Sequence, residues 1–213
     1  MGGPSSKGLN TLAQSSVQIC NRGLSKYLGL PRINNLDEAT PVAELCKLHY
    51  EDSLRVLTEH HWWSFAAGRN VMAELPNDRP QEWNYKYQKP ADALAIRWVN
   101  DPVVAANLLE VGEEPDSDRL LFGQHIYSNV FGAACEFSKL IDDATKFPQY
   151  FADALSAEIA ASVAMSLTED MNRARNAFSE AERLLEEAVV LDESDHRHRT
   201  YRSTPDYLKV RGL

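Results

Sequence analysis

Apolar side chains recur along this chain with two different periods, and the change of period divides it into parts. From about Thr11 to Leu28, the positions Leu12, Val17, Leu24, Tyr27 and Leu28 follow a helical spacing, with Gly23 inside the pattern and Gly29 placed to end it. A second helix is expected from Thr40 to about His60. Thr40 suits an N-cap, and Pro41 sits at the first helical position, where its missing N–H costs nothing. The stripe predicted to face inward is Val42, Leu45, Cys46, His49, Ser53, Val56, Leu57 and His60.

Between Trp63 and about Ile141 the helical period gives way to short alternating runs between turn signals. Trp83, Tyr85 and Tyr87 alternate with polar neighbours, and so do Leu94, Ile96 and Trp98 beyond the turn at Lys89 and Pro90, which predicts a hairpin with one aromatic face. EVGEEPDSDRL reads as an acidic loop, and LLFGQHIYS and AACEFSKLI as further strands. Helices return after Pro148. Phe151, Leu155, Ile159, Val163 and Leu167 form one apolar row, and Ala154, Ala157, Ala161 and Ala164 form a smooth second face that permits close helix approach. From about Asn172 to Asp192, Ala174, Phe178, Ala181, Leu185 and Ala188 make a seam for another helix. The expected fold is therefore mainly α. A helical bundle is formed by residues 11 to 62 and 142 to 195, around a small β-rich insertion at 63 to 141, with a loose N-terminal arm at 1 to 10 and an extended C-terminal tail at 196 to 213.

Charge sharpens the picture of the tail. Arg197, Arg199, Arg202, Lys209 and Arg211 stand there against Asp206 alone, a net +4, which leaves −13 on the rest of a chain whose total is −9. A body so acidic does not wrap nucleic acid by neutralising phosphates. Tyr201, Tyr207, Leu208 and Val210 interleave with the basic residues, and that mixture of anchors and guanidinium groups suits docking into a groove on a partner. The start of the sequence has no signal-peptide core, and no uninterrupted apolar run approaches the length of a membrane span. The three cysteines, Cys20, Cys46 and Cys135, have no metal-site or disulfide spacing and read as reduced thiols.

The one stretch that invites a chemical reading is EHHWWSF. His49, His60 and His61 with Asp52 or Glu59 are the ligand types a metal needs, but His60 and His61 point about 100° apart on a helix, and His49 lies about 16 Å of rise from His60. The stretch is better read as a packing corner built from Trp62, Trp63 and Phe65, because aromatic side chains bury the most area per residue. No phosphate-binding loop, dinucleotide fingerprint, nucleophile elbow or HExxH helix is present. Cys46 with His49 lacks an orienting group, and Asp142 and Asp143 read as loop and helix-entry charges. The expectation is a protein with no catalytic, cofactor or metal site.

The order and wording of several segments resemble the tail tubular protein A family of short-tailed bacteriophages. The run LSKYLGLPRINNLDEATPVAELCKLHYEDSLRVLTEHHWWSFA is followed by RNVMAEL, by EWNYKYQKPADALAIRWV and by FPQYFADALSAEIAASVAMSLTED, so the resemblance spans roughly residues 20 to 195. Its most specific parts are Trp63 to Ala66, the turn with Tyr87, Lys89, Pro90 and Asp92, and the alanine-rich helix after Phe147 and Pro148; His61 stands where that family usually has proline. The resemblance implies a structural virion protein, a head-to-tail adaptor ring, commonly of twelve copies, in the neck between capsid and tail. It would be assembled in the host cytoplasm, and its partners would be the portal protein, the tail nozzle protein and DNA passing without sequence-specific binding, with no membrane. Arg197, Arg199, Tyr201, Arg202, Tyr207, Leu208, Lys209 and Arg211 would then dock on the portal. An acidic channel wall would let DNA slide past by like-charge repulsion. The alternative is a small helical DNA-binding or regulatory protein that uses the basic tail as a phosphate clamp.

Overall fold

The computed structural model describes residues 14–110, 115 and 119–200. Its chain divides into two compact units, one of residues 1–53 and 141–185 and the other of residues 54–140 and 186–213. Helix takes up 53% of the structure and strand 19%, in two antiparallel sheets, which makes the fold α+β. The expectation of a mainly α bundle with a small β insertion and an extended tail is thereby corrected. Seven short strands share a core of their own, and sequence periodicity understated them because strands of two to eight residues give little pattern to count.

The first unit is helical. Helix α1 (Ser16–Gly23) starts at Ser15, whose hydroxyl accepts from Gln18 N while the Gln18 side chain accepts from Ser15 N, a capping box that places the start later than the apolar pattern alone did. A π-helical turn (Leu24–Leu28) follows, and Gly29 ends it at φ 64°, a conformation that costs glycine nothing. Helix α2 (Pro41–His60) is capped by Thr40, whose hydroxyl accepts from Ala43 N at 3.2 Å. Its buried face is Ala43, Cys46, Tyr50, Ser53, Leu54, Leu57 and Thr58. The predicted stripe was thus turned by about one position, and Val56 and His60 are exposed.

Helix α4 (Gln149–Thr168) is the centre of this unit. Phe151, Leu155, Ile159 and Val163 are buried as expected, with the alanines Ala154, Ala157, Ala161 and Ala164. Its length and mean hydropathy of 1.2 would suit a membrane span, a property missed in the sequence, but most of it is buried in the folded chain as a core helix is. Helix α1 meets it at Gly23, where a Cβ would run into the Ser156 carbonyl, and Arg22 pairs with Asp153 beside that contact. Helix α5 (Met171–Thr200) buries Ala174, Ala177, Ala181 and Ala188, while Phe178 of the predicted seam is exposed. Arg173 on α5 donates to the Leu28 carbonyl at 2.9 Å. The helical backbone of α5 continues through residues 196–200, where an extended tail was expected; residues 201–213 lie outside the described residues.

The second unit holds the sheets. Strands β1 (Ala67–Val71), β7 (Ala134–Lys139) and β4 (Ala93–Asn100) form one sheet in the order β1-β7-β4. Strands β2 (Glu74–Leu75), β3 (Tyr85–Gln88), β6 (His125–Ser128) and β5 (Arg119–Phe122) form the other, in the order β2-β3-β6-β5. LLFGQHIYS, expected as a strand, is folded as a hairpin of β5 and β6 about Gly123, and AACEFSKLI supplies β7 as expected. The predicted aromatic hairpin does not form. β3 and β4 are joined by the turn at Pro90, yet β3 pairs with β2 and β6 while β4 pairs with β7. Tyr87 and Ile126 from one sheet and Ile96, Val99, Cys135 and Phe137 from the other fill a common core, so both strands keep their inward side chains without pairing. Helix α3 (Pro102–Glu110) follows β4 within a region expected to lack helix; Asp101 caps it by accepting from Val103 N and Val104 N.

Candidate functional site

A cleft of about 760 Å³ opens in the second unit where the segment after α2 meets β1, β4, β7 and the end of α5. It contains His61, Ser64, Arg69, Arg97, Glu136 and Asp192. The 3₁₀ turn Ser64–Ala66 leads into β1 and sets Ser64 opposite α5. Asp192, 2% exposed, accepts from Ser64 N at Oδ2 (3.0 Å) and from Ser64 Oγ at Oδ1 (2.7 Å), and His61 Nε2 lies 3.4 Å from Oδ2.

In acyl transfer by a serine, the hydroxyl passes its proton to an imidazole that a carboxylate orients. Here hydroxyl and imidazole converge on the same carboxylate, and Ser64 Oγ donates to Asp192. The geometry is that of a clasp: a buried carboxylate accepts from the backbone N–H and the hydroxyl of Ser64, with the His61 imidazole close by.

On the sheet side of the cleft, Glu136 at the centre of β7 is 4% exposed and held by two guanidinium groups. Arg69 Nε, its cross-strand neighbour on β1, donates to Oε2 at 2.5 Å, and Arg97 Nη1 donates to Oε1 at 3.2 Å. Arg97 reaches Glu136 because a bulge in β4 sets Arg97 and Trp98 against one residue of β7, which turns an extra side chain onto that face. Arg97 also stacks over Trp62, 5.8 Å from the ring centre, and Arg69 over Trp98 at the same distance.

The three aromatic residues expected to form a corner sit differently. Trp63 is 1% exposed, its Nε1 donates to the Leu57 carbonyl at 2.6 Å, and its ring meets His61 edge-on at 4.9 Å. Phe65 is half-buried with its ring 6.3 Å from that of Trp63, while Trp62 lies on the rim of the cleft. Among the described residues no group of three metal-ligating side chains gathers. His49 is half-buried and His60 exposed, each on its own face of α2.

Sequence reasoning missed Asp192, Glu136, Arg69 and Arg97. The first signal available was Asp192 itself, an acid at a position where the α5 pattern calls for an apolar side chain, four residues after Ala188. Arg197 and Arg199, assigned to portal docking, have their backbone in α5; Tyr201, Arg202, Tyr207, Leu208, Lys209 and Arg211 lie outside the described residues. No protein-family model matches the chain, and no curated protein matches it significantly.

Proposed function

We propose that this chain is a structural, non-catalytic virion protein: an adaptor that assembles as a ring between the portal and the tail nozzle of a short-tailed phage. The observation that carries this reading is the ordered resemblance of four segments, from Leu24 to Asp170, to the tail tubular protein A family.

Two features of the chain support it. The first is an apolar rim in the second unit. Val71 of β1 and Asn100 of β4 both pair with Ala134 of β7, so the end of β1, the start of α3 and the residues just before β7 meet at one end of the sheet. Val71, Val103 and Phe131 are each about two-thirds exposed there. Exposed apolar side chains brought to one end of a sheet are compatible with a surface that a partner covers. The second is charge: an acidic body repels DNA moving past it, while the basic end of the chain offers pairing partners to an acidic neighbour.

The test is co-sedimentation with portal particles. The full chain is expected to join them at physiological salt, and a version ending after Asp195 is expected to fold but stay in the supernatant. Failure of the full chain to join portal particles or nozzle protein, together with retention on DNA that declines steeply with salt, would favour the DNA-binding alternative.

A further inference from the structure

Strand β1 is one edge of its sheet: it pairs with β7, without a bulge, and with no other strand. Just past its end, Met72 N donates to the Ala133 carbonyl at 3.0 Å in the same register. Bonding direction alternates along an antiparallel pair, so Gly68 and Asn70 turn their N–H and C=O groups to β7, and Ala67, Arg69 and Val71 turn theirs outward. No described residue takes up those three backbones. Exposed edges commonly carry a proline, a lysine or a bulge that discourages a further strand, and AGRNV has none of these. Its charged residue, Arg69, is turned to the sheet face instead. The side chains of Ala67, Arg69 and Val71 share that face, on which the cross-strand partners Ser138 and Glu136 line the cleft. Arg69 is fixed there, with Nε on the buried Glu136 and the guanidinium over the buried Trp98. Glu136 divides its charge between Arg69 and Arg97, and the two Nη groups of Arg69 meet no acceptor among the described residues. Its side chain is 54% exposed. A guanidinium fork held at its base and open at its tip thus stands between the exposed Val71 and the small Ala67, which lines the cleft with Trp62.

We propose that the outer edge of β1 docks an extended segment of a partner protein, added as a further antiparallel strand and carrying the pattern apolar–x–acid–x–apolar. The main chain supplies affinity in such an addition, because the segment's N–H and C=O groups pair with those of Ala67, Arg69 and Val71. Both pairings already present in this sheet are antiparallel, and the new strand continues them. Side chains supply the choice of partner. The residue opposite Arg69 lies on the same face, within reach of the two Nη groups, and a carboxylate there accepts from both at once, whereas a lysine or arginine would be repelled. Two residues to either side, the segment's side chains meet Val71 and the space over Ala67 beside Trp62, and apolar groups fit both. Asp192 and Glu193 on the far wall of the cleft oppose a polyanion, so the occupant is a protein strand with a single acid and not a nucleic acid. The edge exists whether or not the chain builds a ring.

The experiment titrates the full chain into the fluorescently labelled peptide acetyl-Thr-Val-Thr-Glu-Thr-Val-Thr-amide and reads anisotropy. Saturable binding is expected, with slower amide hydrogen exchange at Ala67, Arg69 and Val71. Lysine in place of the peptide's glutamate, or Arg69→Gln in the protein, is expected to weaken binding by about tenfold or more, since a charge-assisted pair is lost. N-methylation separates strand addition from charge pairing alone. On the glutamate, whose N–H would donate to the Arg69 carbonyl, it is expected to abolish binding; on the threonine beside it, whose N–H points away from β1, it is expected to leave binding unchanged. If Arg69→Gln fails to fold, the peptide series on the unaltered protein decides alone. The proposal is overturned if the peptide shows no saturation up to millimolar chain, if the lysine peptide binds as well as the glutamate peptide, or if methylation at the glutamate has no effect.

Discussion

Ser64 gives both of its protons to one carboxylate: its N–H reaches Asp192 Oδ2 at 3.0 Å and its hydroxyl reaches Oδ1 at 2.7 Å, across 128 positions of sequence. Such a bond joins the end of the chain's helical part to the turn that opens the first strand of its own unit. Asp192 itself is buried, so a carboxylate left without the Ser64 donors would have little water to replace them.

Removing that acceptor should therefore cost more than a surface hydrogen bond. Asp192→Ala is expected to lower stability by about 1–3 kcal/mol, read as an earlier urea midpoint. Asp192→Asn, which keeps one carbonyl oxygen, is expected to fall between the two. Equal midpoints for all three proteins would mean that the clasp contributes nothing.

Trp63 combines burial with a hydrogen bond, and two substitutions separate them. Trp63→Ala should cost about 3–5 kcal/mol through lost burial and the cavity left behind. Trp63→Phe keeps much of the ring but strands the Leu57 carbonyl, and should cost about 1–3 kcal/mol. Thermal melts check both; a Phe variant as unstable as the Ala variant would assign the whole effect to packing.

At Gly23, two effects oppose each other. In an open helix, alanine would be favoured over glycine by about 1 kcal/mol. Here its Cβ would meet the Ser156 carbonyl of α4, a backbone atom that cannot swing away. Gly23→Ala is therefore expected to destabilise, and a gain in melting temperature would show that α1 and α4 are not so closely packed.

How far the sequence could be read follows from the same local facts. Thr40, Gly29 and Pro148 announced helix ends because a cap is chemistry within a few residues, and the α4 row was legible because nearly all of it is buried. The β region was only half legible. Its strands could be located, but which strand pairs with which depends on contacts such as Tyr87 with Ile126, far apart in sequence, and the bulge at Arg97 breaks the alternation that would have shown the inward face. The cleft was not legible, since Asp192, Glu136, Arg69 and Arg97 are brought together by topology and carry no common motif.

Glu158 on α4 makes the pH dependence specific. Burial raises its carboxyl above the ordinary value of 4.5. An acid raised on folding holds its proton more tightly in the native state, so stability is greatest below the unfolded value and declines as pH rises through the folded one. Glu158→Gln removes that penalty. The variant is expected to be more stable than the unaltered chain at neutral pH and to lose that advantage below pH 4.5. A difference independent of pH, followed by urea midpoints across the acid range, would contradict the assignment.

The adaptor reading is tested most directly by mass photometry of the purified chain with and without portal particles. The account predicts that each portal particle gains many copies of the 23.9 kDa chain, reaching a plateau that marks a closed ring, and that the complexes accept nozzle protein. Portal particles whose mass does not change at saturating chain, with the chain remaining a small particle throughout, would contradict it.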